Sequence, residues 1–261
     1  MELQPFTGGQ NKQMQKRQYT SHVRVSRAMR LILICLLISN YCFGQREKPQ
    51  NYRRFDEKLL HFGFMLGGNS SDFTLFKELN AFDQYGVTSL TNKSAPGGQL
   101  GIVTTMKVGT PVVRLRFIPT LSFQERILDY TFMPNDTTTI LNQERISSTN
   151  IDFPLMWQFR TLRVNNFASY FLVGGQYTLD LQSQADAAQN FTDPFIKLNR
   201  HDFSGQLGVG IELFAPYFKF GMEVKYQHGF RNVHIKDSAV IAQPIDRLYN
   251  KVWWFSIIFE G

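Results

Sequence analysis

The chain has 261 residues, of which 43% are hydrophobic and 19% charged, and its formal net charge is +7. Six of the 28 lysines and arginines and one of the 21 acids precede residue 45, so the remainder carries only 22 − 20 = +2. Nucleic-acid binding requires basic residues clustered on the folded part, so this distribution argues against a nucleic-acid partner. Both cysteines, Cys35 and Cys42, also precede residue 45, which excludes disulfides and cysteine-based sites from the rest.

The first predicted element is an export signal. Residues 31–38 are an apolar run that follows several arginines and precedes small residues suited to cleavage near Gly44. The run is too short for a membrane-spanning helix, which needs about 20 apolar residues. Residues 1–44 are therefore predicted to be an N-terminal extension and signal peptide for export by the Sec pathway.

The start of this leader has two interpretations. Met29 is an alternative start that would give a compact signal, with the polar residues before it a gene-start artefact; a genuine extended basic segment is the other interpretation. Cys42 could also be read as a lipidated N-terminus, but the bulky Tyr41 immediately before it argues against this.

The remaining chain is predicted to form a single all-β domain. Residues 45–59 are predicted to be a periplasmic N-terminal segment, and residues 60–261 the domain itself. Apolar residues recur at every second position for about ten residues at a time, which is typical of half-buried strands. The alternation is clearest in residues 218–227. The eight predicted strands are residues 60–69, 99–108, 114–124, 150–160, 167–181, 202–213, 218–227 and 251–260.

The connections between these strands alternate in length. The long ones are residues 70–97, 126–147, 182–199 and 229–250, and the short ones are residues 109–111, 161–166 and 215–217. The short connections contain Pro111, Asn165, Asn166 and Pro216, whose backbone angles suit tight turns. Membrane barrels have an even number of strands, short periplasmic turns and long external loops. The sequence therefore predicts an eight-stranded antiparallel transmembrane β-barrel of the outer-membrane type, in contact with outer-membrane lipid.

A soluble barrel with its apolar face around a ligand would show the same alternation. Export, aromatic residues suited to interfacial girdles and glycines on the polar face favour lipid outside. The aromatic residues are Phe62, Phe64, Trp157, Tyr170, Tyr177, Trp253 and Trp254. The glycines are Gly63, Gly67, Gly101, Gly208, Gly210 and Gly221.

If the polar face is internal, charges of both signs lie inside the barrel. They are Arg114, Arg116, Asp152, Arg160, Asp202, Glu212, Lys219, Glu223 and Lys225. Buried charges must be paired to be tolerated, and an eight-stranded barrel leaves only enough room for side chains. A plug of salt bridges is therefore favoured over an ion path.

No catalytic, cofactor-binding or metal-binding residues are predicted, and no small-molecule substrate is inferred. The sequence has no H-E-x-x-H helix and no G-x-S-x-G turn. The nearest catalytic candidate is the neighbourhood of Asp193, His201 and Ser204, for which solvated loop and lumen groups are the better interpretation. Residues 55–58 (FDEK) and 244–248 (PIDRL) mix charge with apolar anchors, as partner-contact surfaces do, although solvated loop is the default for each.

Whole segments resemble the PorT/SprT family of Bacteroidetes. They are residues 54–73 (RFDEKLLHFGFMLGGNSSDF), 97–130, 150–181 and 245–260, and the most distinctive block is LRFIPTLSFQER at residues 115–126. The resemblance implies an outer-membrane β-barrel required for the type IX secretion system, which exports proteases, adhesins and gliding-motility proteins. It implies other secretion components as partners and supplies no catalytic residues.

The resemblance favours assembly or stabilisation of the secretion machinery over formation of its pore, because eight strands enclose too little space for a folded cargo. Two other functions remain open from the sequence. One is a small-solute porin or surface-binding barrel, and the other is an outer-membrane hydrolase or acyltransferase.

Overall fold

The computed structural model describes residues 50–78, 87–135, 138–183, 196–237 and 241–261. The predicted export signal, the alternative start at Met29, the cleavage near Gly44 and the candidate residue Asp193 lie outside these ranges. In the described ranges, no helix is both long enough and apolar enough to cross a bilayer.

The described chain is almost entirely β-strand, preceded by a short 3-10 helix at Arg53–Asp56. The strands are β1 (Leu60–Lys77), β2 (Val87–Lys107), β3 (Val113–Phe117), β4 (Thr120–Asn135), β5 (Thr138–Arg160), β6 (Phe167–Asp180), β7 (His201–Phe214), β8 (Lys219–Gly229) and β9 (Ile245–Glu260). Each pairs with its neighbours in an antiparallel manner, and β1 pairs with both β2 and β9. The sheet therefore closes on itself.

The closed sheet has eight strand positions, because β3 and β4 occupy one of them in succession. Both pair with β2 on one side and with β5 on the other. They are separated by Ile118 and Pro119, and proline has no N–H to donate to the ladder. The predicted eight-stranded antiparallel barrel is confirmed.

The strands are tilted relative to the barrel axis. The pairing that starts at Phe62 of β1 passes through every strand position and returns to β1 at Asp72, a stagger of ten residues. Such a stagger is what closing a sheet into a barrel requires. Because of this stagger, a row of paired residues shifts along the barrel axis as it passes from one strand to the next.

The wall of the barrel is apolar on the outside between the short turns and the middle of the long strands. The exposed apolar side chains of this part include Phe62, Phe64, Leu66, Ile102, Leu155, Trp157, Phe203, Leu207, Val209, Phe255 and Ile257. The glycines predicted for the polar face lie on the inner face. This part is called the membrane zone below. Its orientation, apolar outside and polar inside, is the one that the export signal, the aromatic residues and the glycines favoured.

Two of the residues predicted for the interfacial girdles point into the barrel. Tyr170 and Trp254 are 4% and 1% exposed and lie inside the barrel. Successive side chains of a strand point to opposite faces, so Trp253 and Trp254 cannot both contact lipid. The other five predicted girdle residues face outward.

Several strands are longer than the sequence pattern indicated, because they continue beyond the membrane zone. Residues 72–77, 87–95, 125–135, 138–149 and 245–251 extend β1, β2, β4, β5 and β9, and we call them the outer extension. Most of the predicted loops 70–97 and 126–147 is therefore strand. The alternation continues there but its chemistry reverses, with apolar residues such as Leu128 facing inward and polar residues such as Asp129 facing outward.

The inside of the outer extension is an apolar core. The buried cluster consists of Phe73, Val87, Leu90, Leu128, Tyr130, Ile146, Ile196, Leu198, Val233, Ile241, Ala242, Ile245 and Leu248. Part of it comes from the cover loops, residues 196–200, 230–237 and 241–244. The backbone N–H of Asn199 donates to the Val233 carbonyl at 2.8 Å, and that of Val233 donates to the Leu248 carbonyl at 2.9 Å. The cover loops therefore lie over the inner face of the extension.

Candidate functional site

The inside of the membrane zone is a network of ion pairs. All nine charged side chains predicted for this face are buried, with exposures of 0–4%. Seven of them form ion pairs, whereas Asp152 and Asp202 accept hydrogen bonds from neutral side chains. At its centre, Arg116 lies 3.1 Å from Glu223, 3.3 Å from Glu260 and 3.8 Å from Glu212. Its guanidinium also lies over the Tyr170 ring at 5.2 Å. One cation thus contacts three carboxylates that are removed from water.

Two lysines complete the neutralisation. Lys219 contacts both Glu212, at 2.9 Å, and Glu260. Lys225 lies 2.9 Å from Glu223. Buried carboxylates are tolerated when cations and hydrogen bonds offset their lost hydration. The prediction of a salt-bridge plug therefore fits this part of the lumen.

The sequence prediction missed two members of the network and one further buried cation. Glu260 was omitted, although its alternation with the outward-facing Phe259 places it inside. Arg126, which bonds to Gln124 and Ser148 and to no carboxylate in the described ranges, was assigned to a loop because the predicted strand ended at Gln124. Asp56 precedes the first strand, and its pairing with Arg114 and Arg160, at 2.7 and 2.8 Å, could not be read from any periodicity.

The end of the lumen beside the short turns is closed by residues 51–59. Phe55 is fully buried and stacks on His61, with ring centroids 3.7 Å apart. The Arg114 guanidinium and the Lys219 ammonium lie over the Phe55 ring at 5.0 and 4.7 Å. Cation–π contacts of this kind are strengthened when the groups are desolvated.

Further hydrogen bonds hold this segment against the short turns. The Asn51 N–H donates to Asn166 Oδ1 at 2.8 Å, and its side-chain amide donates to the Phe214 carbonyl at 3.2 Å. Lys107 Nζ donates to the carbonyls of Asp56 and Glu57. The default interpretation of residues 55–58, a solvated loop, is wrong for Phe55, which is fully buried, and Asp56 pairs with Arg114 and Arg160 inside the chain.

The inward glycines make room for the large side chains of the plug. A Cβ on Gly210 would lie 2.3 Å from the Tyr170 ring, so only glycine allows that ring to lie flat against the wall. The Tyr170 hydroxyl then donates to Glu223 at 3.1 Å. The narrow interior predicted from the glycines is therefore filled by aromatic and charged side chains.

The upper lumen is polar and closely packed. Asp152 accepts hydrogen bonds from Ser122, Gln176 and Thr178 at 2.6–2.7 Å. Trp254 donates from Nε1 to Gln227 Oε1 at 2.7 Å. Above them, a cavity of about 20 Å³ touches Asp202 and the cover loops, which is room for about one water molecule.

The catalytic candidate of the sequence analysis is not assembled. His201 is exposed on the outer wall, where its Nδ1 lies 2.7 Å from the Tyr177 hydroxyl. Ser204 is buried in the lumen, where its hydroxyl accepts from Gln227 at 2.9 Å. The two are three residues apart on one strand and therefore point to opposite faces.

The second mixed segment, residues 244–248, is also used inside the chain. Ile245 and Leu248 are fully buried in the apolar cluster, so they are not available to a partner. Arg247 and Asp246 remain on the surface and pair with each other at 3.0 Å. The default interpretation of a solvated loop is therefore wrong for Ile245 and Leu248.

The outside of the outer extension carries exposed ion pairs. Asp129 contacts Lys93 at 2.5 Å and Gln143 at 2.9 Å, and these hydrogen bonds hold its pKa below its usual range. Arg145 pairs with Glu125 at 3.3 Å. In contrast, burial raises the pKa of the inward-facing Tyr130, whose hydroxyl donates to the Ile241 carbonyl. Throughout the described ranges, no group of three His, Cys, Asp or Glu side chains is arranged to hold a metal ion.

A closed eight-stranded wall, apolar outside and charged inside, defines an outer-membrane β-barrel protein. The family described as "Outer membrane protein beta-barrel domain" matches residues 43–234, and the chain belongs to this family.

Solved structures similar to this chain include two outer-membrane proteins. OprG from Pseudomonas aeruginosa is 17% identical, with 77% of this chain and 93% of that chain covered and a TM-score of 0.43. Neisserial surface protein A is 7% identical, with coverages of 76% and 95% and a TM-score of 0.37. No curated protein matches the chain.

Proposed function

We propose that this barrel is a non-enzymatic component of protein secretion by the type IX system, and that it assembles or stabilises the machinery through its surfaces. The observation that carries the proposal is the closed lumen. Arg116, its three carboxylates and the buried Phe55 occupy the space through which a solute would have to pass. A barrel without a passage acts through what its loops and wall contact.

The outer extension supports this role. Its apolar core, with Leu128 and Leu248 fully buried, makes the projecting strands and cover loops one packed unit. Packed units hold a binding surface in place without the ordering cost of a mobile loop. The secretion system itself is proposed from the resemblance of residues 54–73, 97–130, 150–181 and 245–260 to the PorT/SprT family.

Gene deletion tests the proposal. Deletion is expected to abolish export of type IX cargo proteins while their synthesis continues, and a plasmid copy of the gene is expected to restore export. Cargo can be measured by immunoblotting of medium and cell fractions. Normal export in the deletant would contradict the proposal.

Two measurements separate the proposal from the other functions. The purified barrel is expected to give no stepwise conductance in planar bilayers, whereas a porin would conduct. His201→Ala and Ser204→Ala are expected to leave turnover of envelope lipids and peptides unchanged, whereas a hydrolase built on these residues would lose activity.

A further inference from the structure

The outer wall formed by β6, β7 and β8 ends in exposed aromatic side chains. On β7, Phe203 is 54% exposed, and its ring centroid lies 5.0 Å from that of Tyr177 on β6. His201, the first residue of β7, is also exposed, and its Nδ1 lies 2.7 Å from the Tyr177 hydroxyl. Aromatic side chains are enriched where a membrane protein passes from hydrocarbon to headgroups. This row therefore marks the upper boundary of the membrane zone on this side of the barrel.

Phe230 extends the aromatic row to the residues that follow β8. It is 70% exposed, and its backbone N–H donates to the Phe203 carbonyl at 2.8 Å. A Cβ on Gly205 would lie 2.5 Å from the Phe230 ring, so the ring lies against the outer wall at a position where glycine leaves room for it. The chain therefore leaves the apolar wall at Phe230, and Arg231 is the first residue beyond it.

Two exposed arginines lie next to each other at this boundary. Arg200 immediately precedes β7, and Arg231 follows β8. They belong to adjacent antiparallel stretches, between the hydrogen bond that the Asn199 N–H donates to Val233 and the one that the Phe203 carbonyl accepts. Adjacent antiparallel stretches are about 4.8 Å apart, so two long side chains on them can reach one common anion.

The acids of this region do not pair with the two arginines. Neither arginine forms an ion pair or a side-chain hydrogen bond with a residue in the described ranges. Asp180 and Asp202 are buried on the lumen side of the wall. Arg200 borders the small cavity that both acids line without pairing with either, and Arg231 acts on Asp202 only at longer range. The exposed face of this boundary therefore carries positive charge that no carboxylate contacts directly.

The same boundary is different on the side formed by β9 and β1. There, Lys251 lies two residues above the exposed Trp253, and its ammonium pairs with Asp72 at 3.4 Å. A cation with its own carboxylate attracts a further anion less strongly. The β6–β8 side therefore offers positive charge that the β9–β1 side neutralises within the chain.

A pair of arginines above an aromatic wall suits a phosphorylated lipid. Guanidinium groups bind phosphate oxygens with charge-assisted, often paired hydrogen bonds. Lipid headgroups lie just outside the hydrocarbon, at the level of the interfacial aromatic side chains. We propose that Arg200 and Arg231 bind the phosphate group of a membrane lipid. The acyl chains of that lipid lie against the exposed rings of Phe203 and Phe230. This site goes beyond the proposed function and does not depend on the secretion system.

Lipid binding to the unaltered protein is the first test. The purified full chain in detergent is mixed with dioleoylphosphatidic acid or with dioleoylglycerol, which differ only in the phosphate group. Native mass spectrometry measures the lipid bound per barrel. Phosphatidic acid is expected to bind at least about tenfold more tightly, because each arginine near a lipid surface adds electrostatic attraction. Equal binding of the two lipids would overturn the proposal.

A double variant tests where the lipid binds. Arg200→Gln combined with Arg231→Gln is expected to weaken binding of phosphatidic acid at least about tenfold and to leave binding of dioleoylglycerol unchanged. Both arginines are exposed, so the double variant is expected to fold, and urea titration checks this. The matched control is Lys251→Gln, for which a change of less than about twofold is expected because Asp72 already neutralises this lysine. Unchanged binding in the double variant, or an equal loss in the control, would contradict the assignment.

Inorganic phosphate distinguishes a lipid site from a site for a free anion. At the same concentration as phosphatidic acid, it is expected to displace less than about a tenth of the bound lipid, because it lacks the acyl chains that contact Phe203 and Phe230. Displacement of most of the lipid would show that the arginines bind free phosphate, and the lipid assignment would then be wrong.

Discussion

The membrane zone and the outer extension are made of the same strands but have opposite chemistry. In β4, Phe123 faces outward and Gln124 inward in the membrane zone, whereas Asp129 faces outward and Leu128 inward in the extension. The backbone geometry is the same in both. The difference shows that the solvent outside the wall, lipid or water, determines which face of a strand is apolar.

The interiors are stabilised by different interactions. The membrane zone has a polar interior in which each buried charge needs a partner. If one partner is lost, the other remains as an uncompensated charge in a low-dielectric environment. The extension has an apolar interior stabilised by removal of surface from water, as in soluble proteins. The following predictions compare the two regions, from the largest expected effect to the smallest.

Arg116→Met is expected to lower the free energy of unfolding by about 3–5 kcal/mol, because removing one partner leaves buried charge uncompensated. Urea titration of the barrel in lipid vesicles measures this. Glu223 and Glu260 keep contacts with Lys225 and Lys219, so folding is expected to survive. A loss below about 1 kcal/mol would mean that water reaches the network.

Val209→Lys places a charge on the lipid-facing wall, where Val209 is 59% exposed. A loss of about 2–4 kcal/mol is expected, because a charge near the middle of the bilayer loses its hydration. The control is Thr91→Lys, on the exposed outer face of the extension and opposite Asp129, for which little change is expected. Equal effects at both positions would show that the assigned membrane boundary is wrong.

Leu128→Ala is expected to cost about 2–3 kcal/mol, since it leaves a cavity in the fully buried cluster of the extension. Its control is Ile127→Ala, a half-buried neighbour that faces outward and for which about 1 kcal/mol or less is expected. Urea titration of both variants tests whether the extension has a true core. Similar losses for the two would argue against it.

His234, in the cover loops, gives the extension a pH dependence. Burial holds its pKa below the ordinary histidine value, so the folded chain keeps it neutral when the unfolded chain begins to take up a proton. The free energy of unfolding is therefore expected to fall as the pH drops below about 6.5, by up to about 1.4 kcal/mol per pH unit. His234→Leu should reduce this slope, and an unchanged slope would assign it to another group.

Arg145→Met is expected to change the free energy of unfolding by less than about 1 kcal/mol, because the pair with Glu125 is exposed to water. This is the matched counterpart of Arg116→Met in the other region. The same urea titration compares the two arginines. A loss as large as that at Arg116 would contradict the distinction between the interiors.

Much of the network could be predicted because period-two alternation assigns each side chain to a face. Once Phe218–Gln227 is recognised as a strand with an apolar outer face, Lys219, Glu223 and Lys225 must be inside. Alternation does not say which charge meets which, and the contact of Arg116 with three carboxylates depends on the ten-residue stagger around the barrel. Alternation also fails to identify the lipid-facing side chain where both faces of a strand carry aromatic residues, as at Trp253 and Trp254.

The strand class, the eight strand positions, the short turns and the two faces of each strand in the membrane zone could be predicted from the residue pattern, because they follow from local alternation and turn chemistry. Three features became visible only in the folded chain: the closure of one end of the lumen by Phe55 and Asp56, the reversal of polarity in the outer extension, and the separation of His201 from Ser204. Each of these depends on which distant segments meet. These long-range contacts are set by the stagger and packing of the closed sheet, and no periodic pattern in the sequence reveals them.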